Sequence, residues 1–195
     1  MLWFPHTQSK TGDAEMKTQL LFDATAMSFA SSKESIATMV HSKFVNQGFT
    51  ITASNVNKPW GIEYKIKEDQ AWKLFDRFFA EKNLPVYLAN NPFGPKILII
   101  EESKRLSWHV HERKDAFLLV LYGVVSVYTS STDEEPTTPT LENRGALIHI
   151  PQLIRHRLGS VAGWSVVAEI SRNVFPDHPS DDADERRISD DFGRR

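Results

Sequence analysis

Apolar and polar positions follow different rhythms along the chain. Residues 1–17 show none and read as a loose polar arm, while 18–30 mix apolar and small residues as a packed helix does. Ser31 and Glu34 are spaced for a capping box, Ile36, Met39, Val40 and Phe44 recur at helical spacing, and Gly48 supplies a stop. Past Gly48 the period drops to two. Phe49, Ile51 and Ala53 alternate with Thr50, Thr52 and Ser54, which predicts a strand with one wet face. Lys58-Pro59-Trp60-Gly61 interrupts it, and 62–67 resumes an extended pattern. Asp69 is placed to cap a short helix with the stripe Trp72, Phe75, Phe78 and Phe79, and Asn83-Leu84-Pro85 ends that helix. Asn91-Pro92-Phe93-Gly94-Pro95 predicts a rigid turn.

From there short strands alternate with turns. The predicted strands are 96–101, 105–111, 116–122, 124–128, 146–150 and 165–171. No helical pattern separates them, so the expected class is mainly β, a sandwich or barrel and not a βαβ sheet. Residues 130–140, rich in Ser, Thr, Pro and acids, predict an exposed hairpin loop. The chain divides into an arm and N-terminal helical extension (1–48), a β domain (49–176) and a tail dense in both charges (177–195).

Composition narrows the functions. The 195 residues carry 23 Lys and Arg against 25 Asp and Glu, a net charge of -2 that gives no electrostatic basis for a dedicated nucleic-acid binder. With 41% hydrophobic residues the chain can bury a core, and without cysteine it has no disulfides, thiolate ligands or cysteine nucleophile. The longest apolar run, 116–125, is too short to span a bilayer. No basic patch leads into an apolar stretch at the N-terminus, and arginine is absent before Arg77. The expected setting is a soluble, cytoplasmic protein. No phosphate loop, Ser-His-Asp order or dinucleotide fingerprint is present.

The chemistry concentrates at His109-Val110-His111 and at His156. Residues two apart on a strand face the same way, so His109 and His111 project together, with Ser107 and Arg105 in the same parity. Leu106, Trp108 and Val110 hold the packing parity. His156 follows a strand and a proline, where a further ligand would stand; the plain alternative is two ordinary half-exposed histidines. Glu169 lies in the apolar run Val166-Val167-Ala168-Glu169-Ile170, where a carboxylate is costly unless it meets a metal, a base, a substrate or an arginine. Lys104 and Arg105 are candidates for an anionic ligand, or for an ion pair at a barrel mouth. Arg155 and Arg157 flank His156 with opposite parity and are expected to face solvent or a subunit interface. His149 reads as structural and Trp60 as core.

Gly145-x5-Pro151-x4-His156 resembles the second motif of the cupin family, with Leu153 where that motif usually has glycine. His109-x-His111, an acid near position 115 and Gly123 resemble the first. Narrower likenesses join them. Lys104-Arg105-Leu106-Ser107-Trp108 is similar to the strand before the first motif in the cupin-type (type II) phosphomannose isomerases, Lys58-Pro59-Trp60-Gly61 to the start of their domain, and Asp190-Asp191-Phe192-Gly193-Arg194 to their ending. The resemblance covers about 50–194. It implies a single double-stranded β-helix, the cupin jelly roll, with short N-terminal helices, a tail that folds back on the barrel and can bring Arg194 over the site, and a metal held inside by histidines.

Departures shape the expected site. Where the resemblance places Gln, His and Glu ligands, this chain has His109, His111 and Ala116. Asp115 is one residue away, and a one-residue shift turns a side chain to the other face, so it coordinates only if a bulge re-aims it. The expected metal set is therefore His109, His111 and His156, with Asp115 as an additional candidate, around a divalent ion such as Zn, Fe, Ni or Mn. The implied function is a metal-dependent sugar-phosphate aldose–ketose isomerase, mannose-6-phosphate isomerase-like, with Glu169 as base and Lys104 and Arg105 at the anionic end. The alternatives are a three-histidine Fe(II) dioxygenase and a non-catalytic cupin that binds a sugar or nucleotide-sugar. The expected partners are a small anionic ligand and a second copy of the chain, with neither nucleic acid nor membrane.

Overall fold

The computed structural model of the chain describes Phe22, residues 32–80, Lys82 and residues 91–194. The helix expected over 18–30 lies outside these residues apart from Phe22, as does Ser31. The first described helix, α1 (Lys33–Asn46), is capped one residue later than expected. Ser32 and Ser35 form the reciprocal box: each backbone N–H donates to the other's hydroxyl at 3.2 Å. Ile36, Ala37, Val40 and Phe44 face inward, and the chain leaves the helix through Gly48 in the left-handed region.

Eleven strands follow among the described residues: β1 (Ile51–Lys58), β2 (Gly61–Ile66), β3 (Pro92–Ile100), β4 (Trp108–His111), β5 (Lys114–Tyr122), β6 (Val124–Ser130), β7 (Thr140–Asn143), β8 (Leu147–Ile150), β9 (Arg155–Ser160), β10 (Ser165–Asn173) and β11 (Glu185–Ser189). They form two antiparallel sheets, β1-β2-β3-β10-β5-β8 and β11-β4-β9-β6-β7, which face each other as a jelly roll. Between β2 and β3 a 3-10 turn (Glu68–Gln70), α2 (Ala71–Leu74) and a π turn (Phe75–Phe79) run without a break. Asp69 does not cap them; its carboxylate takes the Lys67 ammonium. The wider π turn advances the buried face, so Leu74, Phe75, Phe78 and Phe79 are inside while Trp72 is exposed.

The central strands of the six-stranded sheet are buried on both faces, which explains why β5 and β10 read as nearly continuous apolar runs. Its outer face, including Ile97, Ile99, Phe117, Leu119 and Ile170, packs under α1 and the Phe75–Phe79 turn. Its inner face, including Leu98, Ile100, Leu118, Val120 and Val167, fills the barrel against Val125, Val127 and Leu158 of the smaller sheet. Gly61 sits where β2 touches β3 so closely that a Cβ would lie 1.9 Å from the Ile99 carbonyl oxygen, so only glycine fits after Trp60.

Two expectations from turn and parity fail. Pro92–Ile100 is one strand, not a turn followed by a strand. The residues of β3 that register with β2 run from Lys96 to Ile100, so Pro92 and Pro95 sit where a missing N–H disturbs only one ladder. Arg157 is buried, with 1% of its side chain exposed. It does face out of the barrel, but Glu135 and the tail's Asp191 meet the guanidinium there. Among the described residues no helix is long and apolar enough to cross a membrane.

Candidate metal centre

β4 and β9 are neighbours, and His109 and His156 stand directly opposite each other in their register. Opposed residues of an antiparallel pair project from the same face, so both rings enter the space between the sheets. His111, two residues along β4, shares that face. Ring centroids are 4.3 Å apart for His109 and His156, 5.0 Å for His109 and His111, and 5.6 Å for His111 and His156. One nitrogen of each ring lies within 4.8 Å of the other two.

The backbone decides which nitrogens face inward. Nδ1 of His109 is 2.9 Å from the Ser107 carbonyl oxygen, and Nδ1 of His156 is 3.1 Å from that of Ile154. A carbonyl only accepts, so each Nδ1 carries the proton and each Nε2 keeps a bare lone pair. Proteins commonly orient metal-binding imidazoles in this way. Nδ1 of His111 is buried without a hydrogen-bond partner, 3.9 Å from the Asp184 carboxylate. Burial, the largest cause in each case, pushes His109 down to about 4 and His156 to about 3 and lowers His111 too, so all three stay in the neutral, ligating form. Three neutral imidazoles, two of them pre-oriented, fit a divalent transition metal.

The histidines line a cavity of about 70 Å³ whose wall also includes Trp60, Lys96, Leu98, Ala116, Leu118, Glu169 and Arg194. Ala116 occupies the inward position on β5, and the missing carboxylate leaves that wall apolar. Asp115 projects from the opposite face of β5. It stands across from Arg172, accepts from that guanidinium at 2.7 Å, and accepts from the Gln152 backbone N–H at 2.8 Å. The register runs unshifted through Asp115, so no bulge re-aims it and it is not among the clustered metal-binding groups.

Glu169 does line the cavity, on β10, and its partners are lysines instead of an arginine. Oε1 lies 3.5 Å from Lys96 Nζ and 3.4 Å from Lys114 Nζ. Burial alone would raise this carboxyl; the Lys96 and Lys114 ammoniums outweigh it and hold the group at about 2. Both lysines escaped the reading by parity, although a signal was there. Lys96 shares parity with Leu98 and Ile100, and Lys114 with Ala116 and Leu118, so each is a lone cation at the end of an inward apolar row.

Lys104 and Arg105 lie elsewhere. Arg105 forms an isolated bridge to Gly159 outside regular β4, so the parity of His109 does not extend back to it. Its guanidinium donates to Asp191 at 2.9 and 3.0 Å and to Glu135 at 3.1 Å. The Lys104 ammonium lies 5.9 Å from the Phe192 ring centroid. Arg194 reaches the cavity wall while its guanidinium is held by Asp190. His149 stacks on Phe117 at 4.5 Å.

No family model matches the chain, and no curated protein matches it in sequence. Solved structures overlap its β scaffold. The capsular polysaccharide assembling protein CapF from Staphylococcus aureus is 12% identical at a TM-score of 0.48, over 72% of this chain and 34% of that one. KdgF from Halomonas sp. is 12% identical at 0.45, over 67% of this chain and 89% of that one. The QdtA 3,4-ketoisomerase from Thermoanaerobacterium thermosaccharolyticum, a double mutant in complex with TDP, is 19% identical at 0.37, over 47% and 64%. The chain thus spans about a third of the length of CapF.

Proposed function

We propose that the barrel cavity is a metal-dependent active site for aldose–ketose isomerisation of an anionic sugar, a sugar phosphate above all. The observation that carries this reading is the convergence of His109, His111 and His156 on one point in a cavity that also holds Glu169. A divalent ion held there supplies a Lewis acid for the sugar carbonyl and its neighbouring hydroxyl. The three imidazoles hold the reacting end, with Nδ1 of His109 and His156 locked by their carbonyls. Leu98, Leu118 and Leu158 exclude water on the apolar side. Glu169 takes the proton from C2 and returns it to C1, while the hydroxyl proton passes from O2 to O1, so the product differs from the substrate only in where hydrogen sits. In the protein alone the carboxylate is too firmly paired with Lys96 and Lys114 to be an effective base, so substrate has to loosen that clamp.

The test is elemental analysis of protein purified without added metal, followed by assay of mannose 6-phosphate and related sugar phosphates with Zn, Fe, Ni and Mn. Ketose formation that disappears in the His109→Ala/His111→Ala double variant is the expected result. No ketose with any metal across the panel overturns the reading. A three-histidine set without a carboxylate also suits ferrous oxygen chemistry. Oxygen uptake with Fe(II) and none with Zn(II) would favour that second reading.

A further inference from the structure

Lys96 and Lys114 clamp Glu169 but have no assigned contact to substrate. They come from strands on either side of β10 and reach the same carboxylate oxygen of Glu169. Lys114 and Glu169 are buried, with side chains 8% and 9% exposed, and Lys96 is mostly covered at 23%. Two ammoniums thus share one carboxylate in a largely covered site. Glu63, Glu185 and Asp184 act on them only through space. The imbalance registers on Lys114, whose ammonium is disfavoured by burial first and by the Lys96 charge second, despite Glu169. Lys96 also lines the outer space where Lys58, Lys65, Arg186 and Arg187 outnumber Glu63 and Glu185, next to the histidine cavity.

Lys96 lines the histidine cavity, Lys114 joins it through the shared Glu169 oxygen, and the excess positive charge there is completed by an anion. We propose that Lys96 and Lys114 form the subsite for the oxyanion group of the substrate, a phosphate or a carboxylate, and that its docking draws them off Glu169. This assigns the anionic end to the inner face of the six-stranded sheet, in place of Lys104 and Arg105. It rests on the reading of the cavity as a sugar site. Oxyanion contacts compete directly with the two ion pairs, so binding and release of the base are one event. Geometry favours the charge-assisted contact, because both ammoniums already point at one oxygen atom.

The experiment titrates full-length protein with inorganic phosphate, mannose 6-phosphate, glucuronate and neutral mannose, by calorimetry and by thermal shift, with bound metal assayed alongside. The variants are Lys96→Met, Lys114→Met and Glu169→Gln. Phosphate is expected to bind the parent, to bind each lysine variant at least tenfold more weakly with metal content unchanged, and to bind Glu169→Gln more tightly. The two charged sugars separate a phosphate subsite from a carboxylate one, since the preferred anion shows the larger lysine dependence. Equal phosphate affinity in parent and lysine variants overturns the proposal. So does weaker binding by Glu169→Gln, which keeps the test decisive if a lysine variant fails to fold. Lysine-dependent phosphate binding without any turnover leaves the subsite standing and removes the isomerase reading instead.

Discussion

The two faces of the six-stranded sheet are made from alternate residues of the same strands, yet they obey different rules. The outer row is apolar through Phe117, Leu119, Leu121, Ile97 and Ile99, which meet Ile36, Val40, Phe44 and Phe78, and turns polar at the Asp115–Arg172 pair. The inner row starts apolar at Ile100, Val120 and Val167 and ends in Lys96, Lys114 and Glu169. Burying that polar end costs stability that a leucine in its place would not cost. The contrast teaches that the outer face supplies stability, while the inner face gives some up to keep charge and imidazole in the barrel.

Breaking the barrel interior, which the inner face encloses together with β4 and β9 of the smaller sheet, should give the largest functional effect. His156→Ala removes one of three imidazoles and should weaken metal retention by more than the roughly 10–100-fold that loss of an outer partner of a ligand costs. Its metal-free form should melt close to the parent. Phe44→Ala, in the outer core, should do the reverse and cost about 3–5 kcal/mol of unfolding free energy while bound metal per folded chain is unchanged. Denaturant titration with elemental analysis of both variants checks the pair. Equal loss of stability in both would erase the distinction.

Acid sharpens the same comparison, because the groups held far from their ordinary values lie in the barrel interior, Glu169 on the inner face and His109 and His156 on the smaller sheet opposite. His109 at about 4 and His156 at about 3 lie below the ordinary histidine value of 6.5, so the unfolded chain binds protons that the folded chain refuses. Their contribution is full above pH 6.5 and is lost as pH falls from there toward 4 and 3. Glu169, held at about 2 against an ordinary 4.5, adds a loss of the same sign from 4.5 downward. Metal-free protein should therefore lose unfolding free energy steadily between pH 7 and pH 4, and His109→Phe should flatten the slope between 6.5 and 4. A slope unchanged in that variant would mean that His109 is not the buried neutral group described here.

How much of this is legible in the sequence depends on the range of the contact. The His109–His111 side of β4 follows from strand parity alone, and Gly48 ends α1 for a local reason. Parity also places Arg157 outside the barrel, but Glu135 and Asp191, which meet it there, stand 22 and 34 residues away, and no local pattern of β9 announces them. β11 hides among the charges of the tail because its pairing partner, β4, is more than 70 residues away. β7, β9 and β11 lack the apolar alternation that marks a strand. Lys96, Lys114 and Glu169 become a cluster only once β3, β10 and β5 are set side by side, and that ordering is tertiary information.

Asp115 offers a smaller break. Asp115→Asn weakens the contact to Arg172 and should cost about 1–3 kcal/mol, the usual range for a buried polar group left badly matched. Metal content should not change, because the side chain lies on the outer face. Loss of metal in this variant, measured on folded protein, would restore Asp115 as a ligand.

The smallest effect should come from the turn that delivers His156. Leu153 adopts a φ of 65°, the left-handed region, at the position where the motif it resembles has glycine. Its N–H donates to the His111 carbonyl at 2.8 Å, which ties the turn before β9 to β4. A branched side chain in that region costs about 1–2 kcal/mol. Glycine removes that cost but gives back about 0.4–1 kcal/mol through a freer unfolded chain. The side chain is 50% exposed, so little packing is lost. Leu153→Gly should therefore raise unfolding free energy by about 0.5–1 kcal/mol, a shift of roughly 1–4 °C in Tm. Metal retention should stay as it is, since the backbone bond to His111 survives. A lower Tm would mean that the Leu153 side chain contributes more to the turn than its exposure indicates.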